Sequence, residues 1–228
     1  MQLMTFIRAR ADQDPAEFQD WYLNRFAPNL QARCPNIRRH LVNLTEKGPI
    51  ELRTVHDSDD PQARYDVVTQ MWCGTIGELR TAAAQQLNDD LFQWADVHNS
   101  YRLSDTAVLE DKNPSADRRV GFKLLRELVF FDDMSDAAAK RCWDHHGNLA
   151  LKIHIGMSHY VQHWVEETLS REPVPTRGVS ELFFPTRDDL VQRYYESETG
   201  RQQVLHDTGH FIQRRLPRVY SHEHVVKA

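Results

Sequence analysis

Residues 145–163, HHGNLALKIHIGMSHYVQH, decide the fold of this chain, because a second stretch repeats their pattern 120 residues earlier. That second stretch is Arg25–Asn43, RFAPNLQARCPNIRRHLVN. Each passes from apolar residues at helical spacing to a period-two alternation, which predicts a helix followed by a strand. Few residues are identical, but the apolar positions coincide. The sequence therefore contains an internal repeat.

A second register, offset by 111 residues, extends the repeat toward the end of each copy. It lays Val68–Leu79, VTQMWCGTIGEL, on Val179–Leu190, VSELFFPTRDDL. The same offset aligns Asp96 with Asp207. Together the two registers match helix starts and apolar positions over about a hundred residues, as expected for two copies of one structural unit.

Each copy reads as strand, helix, strand, strand, helix, strand, which is the order of a ferredoxin-like βαββαβ unit. The polar segment Glu110–Arg119 indicates a linker, so we place one domain at 1–111 and a second at 118–228. A four-stranded sheet with helices on one face needs a partner for its other face. We therefore expect an α+β protein in which two ferredoxin-like units pack sheet against sheet within one chain.

Composition excludes several classes of protein. The 28 Lys and Arg residues against 33 Asp and Glu give a net charge of −5, with no basic stripe for nucleic acid. No apolar run approaches the roughly 18 residues of a membrane span. The first residues do not resemble a signal peptide, and three cysteines without metal-like spacing suit reduced thiols. A cytoplasmic protein is the expectation.

Histidines concentrate where the repeat is clearest. Between Trp143 and Trp164 lie five of the chain's twelve histidines. Histidine is the side chain whose ordinary titration lies nearest neutral pH, so this helix-to-strand corner is a candidate site for proton transfer. The alternative is a surface corner that is rich in histidine and has no chemical role.

The order of several short motifs in the second copy carries a family resemblance. They are Trp143, His146-Gly147-Asn148, HYVQ at 159–162, GVSELF at 178–183 and DTGHF at 207–211. This order resembles the EthD-type domain of the dimeric α+β barrel superfamily, in two tandem copies that span nearly the whole chain. The resemblance implies that the tandem ferredoxin-like units form an intramolecular dimeric α+β barrel.

The first copy departs from this pattern at the positions that could carry chemistry. Phe26 stands in place of His146, His40 in place of Tyr160, and Gln70 in place of Glu181. One interpretation is that the second copy kept a site while the first became a structural partner. The other is drift, with no site in either copy.

Five residues of the second copy are candidates for catalysis. His146 could act as a general base or acid, and Tyr160 could donate a hydrogen bond to a developing oxyanion. Glu181 could orient an imidazole, unless it points to solvent at a sheet edge. Asp207 and His210, three residues apart, could form a carboxylate–imidazole pair, unless Asp207 is a helix cap.

Strand alternation sets Tyr160 and Gln162 on the face opposite His159 and His163. His146 and Tyr160 can therefore meet only if helices cover the even-numbered face, where Glu181 and His210 would approach them. Five further residues are candidates for contact with substrate: His154, Trp143, Trp164, Phe183 and Phe211.

The spacing of His206 and His210 could chelate a metal, but no third ligand is evident, so no metal is expected. The resemblance implies several functions. The sequence has no phosphate-binding glycine loop, nucleophile elbow or strong metal motif, so acid–base chemistry without a cofactor is the simplest interpretation. We expect a lyase, isomerase or dehydratase that acts on a small, partly apolar carbonyl, lactone or aromatic compound. The alternatives are a cofactor-independent oxygenase and a non-catalytic binding barrel. Haem, with His146 or His210 as axial ligand, and a homodimer are left open.

Overall fold

The structure, a computed structural model, describes residues 1–46, 50, 65–75, 77, 82–112, 121–170 and 174–228. These residues contain nine strands: β1 (Gln2–Ala9), β2 (Arg39–Thr45), β3 (Val67–Trp72), β4 (Ala95–Asp111), β5 (Phe122–Phe130), β6 (His159–Thr168), β7 (Gly178–Phe184), β8 (Ile212–Arg215) and β9 (Val219–Lys227). They also contain six α-helices: α1 (Pro15–Trp21), α2 (Ala27–Arg33), α3 (Ala82–Trp94), α4 (Asp136–Ile153), α5 (Arg187–Arg193) and α6 (Glu198–Thr208). A π-helical turn, Tyr22–Phe26, joins α1 to α2.

Eight of the strands form one closed antiparallel barrel. Their order is β7-β6-β4-β1-β3-β2-β9-β5, and β5 pairs with β7 to close the ring. The short β8 lies outside the ring on the far part of β5. Two ladders join the first half of the chain to the second: β2 pairs with β9, and β4 pairs with β6.

The prediction of two separate ferredoxin-like units packed sheet against sheet is wrong. A four-stranded sheet has two edges whose backbone N–H and C=O groups need partners. Here the edges of one half pair with those of the other, as where Val42 lies opposite His224 and Val108 opposite Val161. Edge-to-edge closure satisfies these groups, and it yields one continuous sheet with a shared interior. The domain limits at 111 and 118 stay a prediction, and 113–119 of the proposed linker lie outside the described residues.

Local signals in the sequence place most elements correctly. Asp14 begins α1, and its carboxylate accepts from the backbone N–H groups of Ala16 and Glu17. Ser135 caps α4 in the same way. Three details differ from the prediction. The first helix is interrupted by the π-helical turn, β4 begins at Ala95 rather than near Arg102, and β8 was not predicted.

The barrel wall separates two cores. Its interior is filled by apolar side chains from both halves, among them Met4, Phe6, Val68, Leu125 and Val179. Outside the wall, α1 and α2 cover the first half, and α4, α5 and α6 cover the second. Among the described residues, no helix is long and apolar enough to span a membrane. The candidate residues divide between the interior and the outer, helix-covered layer.

Candidate functional site

His146 and Asp207 form a hydrogen-bonded pair between α4 and α6. Nδ1 of His146 lies 2.7 Å from Oδ2 of Asp207. Gly147 allows α4 to approach the sheet, because a Cβ there would come within 2.5 Å of the Leu109 side chain and 3.3 Å of Nε2 of Gln162. His146 therefore lies in the middle of a helix pressed against β6, not at a helix end as the sequence suggested.

The surroundings of His146 suit a neutral base. A carboxylate only accepts hydrogen bonds, so Nδ1 carries the proton and Nε2 holds the free lone pair. Burial lowers the pKa of His146, and the bond to Asp207 opposes that shift without cancelling it. Among the described residues Nε2 has no hydrogen-bond partner, yet it keeps some contact with solvent. His146 is thus held in one tautomer with its basic nitrogen available.

Tyr160 lies on the helix-covered face of β6, in the same outer layer as His146. Its hydroxyl oxygen accepts a hydrogen bond of 3.1 Å from Nε2 of Gln162, which also donates to the backbone oxygen of Trp143 at 2.9 Å. Burial raises the pKa of Tyr160 to about 12, so the phenol stays protonated. Among the described residues no acceptor takes its proton. The phenol is thus a donor held in place.

Helices cover the even-numbered face of β6, which is the condition under which His146 and Tyr160 can meet. No hydrogen bond joins Tyr160 to His146 within the described residues, so the cooperation of these two groups stays a prediction. Gln162, which is not among the predicted site residues, holds the Tyr160 hydroxyl in position.

Aromatic side chains surround the pair on the side of β5. The ring of Phe211 lies 5.6 Å from that of His146, and Phe130 lies 5.7 Å from both Trp143 and Trp164. Three of the five residues predicted to contact substrate therefore pack in one cluster next to the dyad. Trp143 lies directly over Gly178, where any Cβ would approach within 2.6 Å of its ring.

His154, the fourth predicted contact residue, follows the last turn of α4. Its Nδ1 lies 2.6 Å from the backbone oxygen of Tyr194, and its ring lies 4.6 Å from that of Tyr194 and 5.1 Å from that of Tyr195. The pKa of His154 is lowered to about 4, mainly by burial and to a smaller extent by the nearby His146. His154 is therefore a second neutral imidazole near the first.

Glu181 does not join this group, so the prediction that it approaches Tyr160 from the neighbouring strand is wrong. Its side chain points into the barrel, where Oε2 lies 3.2 Å from Nε2 of His163 and Oε1 lies 3.0 Å from Nζ of Lys123. By strand alternation Phe183 shares that interior face and is likewise separated from His146. The alternative that Glu181 points to solvent is also wrong, because the residue is buried.

Glu181 belongs to a polar layer to which every strand of the barrel contributes one residue. Hydrogen bonds and ion pairs connect all eight members. These are Gln2 of β1, Asn43 of β2, Gln70 of β3, Thr106 of β4, Lys123 of β5, His163 of β6, Glu181 of β7 and Glu223 of β9. The layer ties the ring together across its interior.

The charges of the polar layer compensate one another. Burial opposes the charge of Lys123, but Glu181 and Glu223 outweigh it and raise the pKa of the amine. Burial also acts against ionised Glu181, yet Lys123 and His163 hold the pKa of Glu181 well below its usual range. Nε2 of Gln2 and Oδ1 of Asn43 are buried without a partner among the described residues, but the charged members of the layer are paired with one another. The layer therefore fits a structural role better than an exchange of protons with a ligand.

The predicted pair of Asp207 with His210 does not form. Asp207 lies near the end of α6, which also excludes the helix-start cap, and its carboxylate turns inward to His146. His210 is exposed, and its Nε2 lies 3.3 Å from that of His206. Among the described residues no group of three or more metal-binding side chains occurs.

Solved structures place the chain in a class of fold. An anthrone oxidase-like protein has a TM-score of 0.64 at 8% identity, and the match covers 100% of this chain and 93% of that one. A putative monooxygenase from Lactobacillus acidophilus NCFM has a TM-score of 0.53 at 11% identity, with 99% and 95% covered. Both matches extend over the whole barrel. They assign the chain to the dimeric α+β barrel fold.

Chlorite dismutase from Candidatus Nitrospira defluvii has the same fold, with a TM-score of 0.52 at 11% identity over 96% of this chain and 90% of that one. Residues 10–98 match the model of the EthD domain. This match confirms the resemblance to EthD-type domains for that segment of the chain. The match lies in the first half, which the sequence had suggested to be degenerate. No curated protein matches the sequence.

Proposed function

We propose that this protein is an enzyme that abstracts a proton from a small, partly apolar carbonyl or aromatic compound, with His146 as general base. One observation carries the proposal: a buried imidazole whose Nδ1 is bonded to a carboxylate and whose Nε2 has no protein partner among the described residues. If the imidazole served only to fill space, the folded protein would be more stable with both of its nitrogens hydrogen-bonded.

The proposed proton transfer uses both nitrogens of the His146 imidazole. Nε2 of His146 takes the proton from an acidic C–H group, and Asp207 stabilises the imidazolium that results. Charge then moves from carbon to the substrate's carbonyl oxygen, where the Tyr160 hydroxyl donates a hydrogen bond. The aromatic cluster around Phe211 and Trp143 provides an apolar contact surface for the body of the substrate.

The fate of the carbanion separates two classes of enzyme. In an isomerase or lyase the proton returns to another atom of the substrate or to a leaving group. In an oxygenase the carbanion reacts with dioxygen. The names of two structural relatives, an anthrone oxidase-like protein and a putative monooxygenase, favour dioxygen, although one fold hosts many reactions.

Haem is the cofactor that the sequence leaves open, with His146 or His210 as its axial ligand. His146 fits an axial ligand better than His210 does, because a histidine ligand usually donates its other nitrogen to a carboxylate, as Nδ1 does here to Asp207. Bound haem would supply redox chemistry, and Nε2 of His146 would hold it. A Soret band in protein purified after growth with a haem precursor, absent in His146→Ala, would identify this form.

Proton abstraction can be tested before the product is known. Candidate carbonyl and phenolic compounds are incubated with the protein in D₂O without oxygen, and exchange of the acidic C–H is followed by proton NMR. We expect exchange that depends on His146 and is unaffected in His145→Ala, since His145 is the exposed neighbour on the same helix. An oxygen electrode then decides between the two classes.

Absence of exchange across the panel, or equal exchange in His146→Ala, would contradict the proposed base. Exchange without oxygen uptake under air would identify an isomerase or lyase. Exchange with stoichiometric uptake would identify an oxygenase.

A further inference from the structure

A second imidazole of the second half, His154, has an unused acceptor atom. Its Nδ1 donates to the backbone oxygen of Tyr194, since a carbonyl oxygen can only accept. Nε2 is therefore the unprotonated nitrogen. Among the described residues it has no hydrogen-bond partner, although the residue as a whole is only 4% exposed and Nε2 still touches solvent.

The backbone around His154 is fixed, so the direction of Nε2 is fixed as well. The N–H of His154 bonds to the oxygen of Ala150, and its own oxygen accepts from the N–H of Met157. Tyr194 and Tyr195 hold the ring by aromatic contacts. An acceptor held this rigidly and left without a protein donor suits recognition of a ligand.

His154 is also close to the proposed base. His146 lies within α4 and His154 follows its last turn, about two helical turns further on, which is a rise of about 12 Å between their Cα atoms. His146 is near enough to disfavour a positive charge on His154. One ligand can therefore contact both nitrogens if an apolar body separates its reactive carbon from a second polar group.

We propose that Nε2 of His154 accepts a hydrogen bond from a hydroxyl or N–H group of the substrate, and that this protein selects substrates bearing such a donor. The inference rests on the proposed function in placing ligand at this face of α4. It adds a requirement that proton abstraction does not have. A compound with the same skeleton whose hydroxyl is capped as a methyl ether should bind more weakly.

The first half contains a matched control. His40 is also buried and neutral, because burial lowers its pKa to about 4. Its Nε2 bonds to Oγ1 of Thr69 at 2.8 Å. Its Nδ1 also has no partner among the described residues, but it is enclosed by protein and the residue is 0% exposed, so no ligand can reach it. His40 thus resembles His154 in burial and charge but offers no acceptor to a ligand.

The test compares 2-naphthol with 2-methoxynaphthalene, which differ only in the hydroxyl proton and its methyl cap. Dissociation constants are measured for the full chain and for His154→Phe, His154→Asn and His40→Phe. A neutral hydrogen bond predicts that 2-naphthol binds about 3-fold to 10-fold more tightly to the unaltered protein. Both substitutions of His154 should remove the preference, and His40→Phe should keep it.

His154→Asn guards against a trivial loss of fold, since its amide can still donate to the oxygen of Tyr194 while lacking an acceptor in the place of Nε2. As an independent readout, ¹⁵N NMR of histidine-labelled protein should show the Nε2 resonance of His154 moving upfield with 2-naphthol and not with the ether.

Equal affinity for the two probes, no binding by either, or a preference that survives in folded His154→Asn would overturn the inference. A preference that depends on His154, together with no proton exchange by His146, would refute the proposed function alone. Exchange without the preference would refute the role of His154 alone.

Discussion

The two halves of the barrel differ most at equivalent positions of their first helices. Phe26 of the first half packs against Trp21 and Tyr22, with ring centroids 5.3 and 4.9 Å apart, and Trp21 stacks on Trp94 at 4.8 Å. The corresponding residue of the second half is His146, bonded to Asp207. In the first half this position is filled by packed aromatic rings. In the second half it holds an imidazole whose Nε2 has no hydrogen-bond partner among the described residues.

The aligned carboxylates differ in the same sense. Asp96 accepts a hydrogen bond from the backbone N–H of Ala11 at 2.9 Å, on the surface. Asp207, its counterpart 111 residues later, turns to His146. The carboxylate at this position thus accepts a hydrogen bond from a backbone N–H in the first half and from an imidazole in the second. The comparison teaches that the same position can be used for stability or for chemistry, and each use predicts a different response to substitution.

The largest effect is expected for Phe26→Ala, which tests whether the first half is devoted to packing. Removing a fully packed phenyl ring costs about 3–5 kcal/mol of unfolding free energy. Urea denaturation measures it, with Phe92→Ala as control, because Phe92 is 44% exposed and its loss should change stability little. A loss below about 1 kcal/mol would mean that the aromatic cluster is not the core of this half.

Next in size is the effect of His146→Ala on turnover of a substrate found by proton exchange. Removal of a general base should lower kcat by about 10²-fold or more. The same measurement on His40→Gln should give a much smaller change, since His40 contacts Thr69 and no ligand face. Equal losses from the two variants at unchanged stability would abolish the functional difference between the halves.

Acid should destabilise both halves through one buried histidine each. His40 and His154 have pKa values near 4, below the ordinary value of 6.5, so the folded protein binds fewer protons than the unfolded chain. The stability that each contributes is complete above about pH 6.5 and is lost as the pH falls toward 4, roughly 2 kcal/mol each by pH 5.

Comparison of urea unfolding at pH 7 and pH 5 measures this loss. The dependence on pH should become shallower in His40→Phe, and separately in His154→Phe. An unchanged slope in either variant would mean that its histidine is not buried as a neutral group.

The smallest effect is expected for Asp207→Asn, roughly a 10-fold loss of kcat, because the base remains but its tautomer is no longer fixed. Since Asp207 opposes the shift caused by burial, its removal should lower the pKa of His146 further. The acid limb of the pH–rate profile, already below 6.5, should then move to still lower pH. Asp96→Asn is the matched control, and a comparable loss there would contradict the comparison.

Much of this site could be predicted from the sequence because its signals are local. Asp14 before Pro15 marked a helix start, and alternation along β6 correctly separated Tyr160 and Gln162 from His163. Those rules depend on a few neighbouring residues and on strand geometry alone.

What could not be predicted depends on distant parts of the chain. Nothing local states that β2 will pair with β9, so a closed sheet and two stacked sheets look alike in sequence. The strand that holds Glu181, GVSELFF, is buried on both faces, and without alternation its inward side cannot be read. In the sequence, His210 lies three residues after Asp207 and is the nearest candidate partner. In the fold, the packing of α6 on α4 brings Asp207 to His146 instead.

The polar layer has a consequence for how the chain is made. Gln70 meets Glu181 across 111 residues of sequence, and Lys123 meets Glu223 across 100. During synthesis the early strands must wait, with open edges and an unpaired interior, until β9 leaves the ribosome. Contacts of such high sequence separation make closure late and slow, and they leave the edges of the nascent first half exposed to aggregation until then.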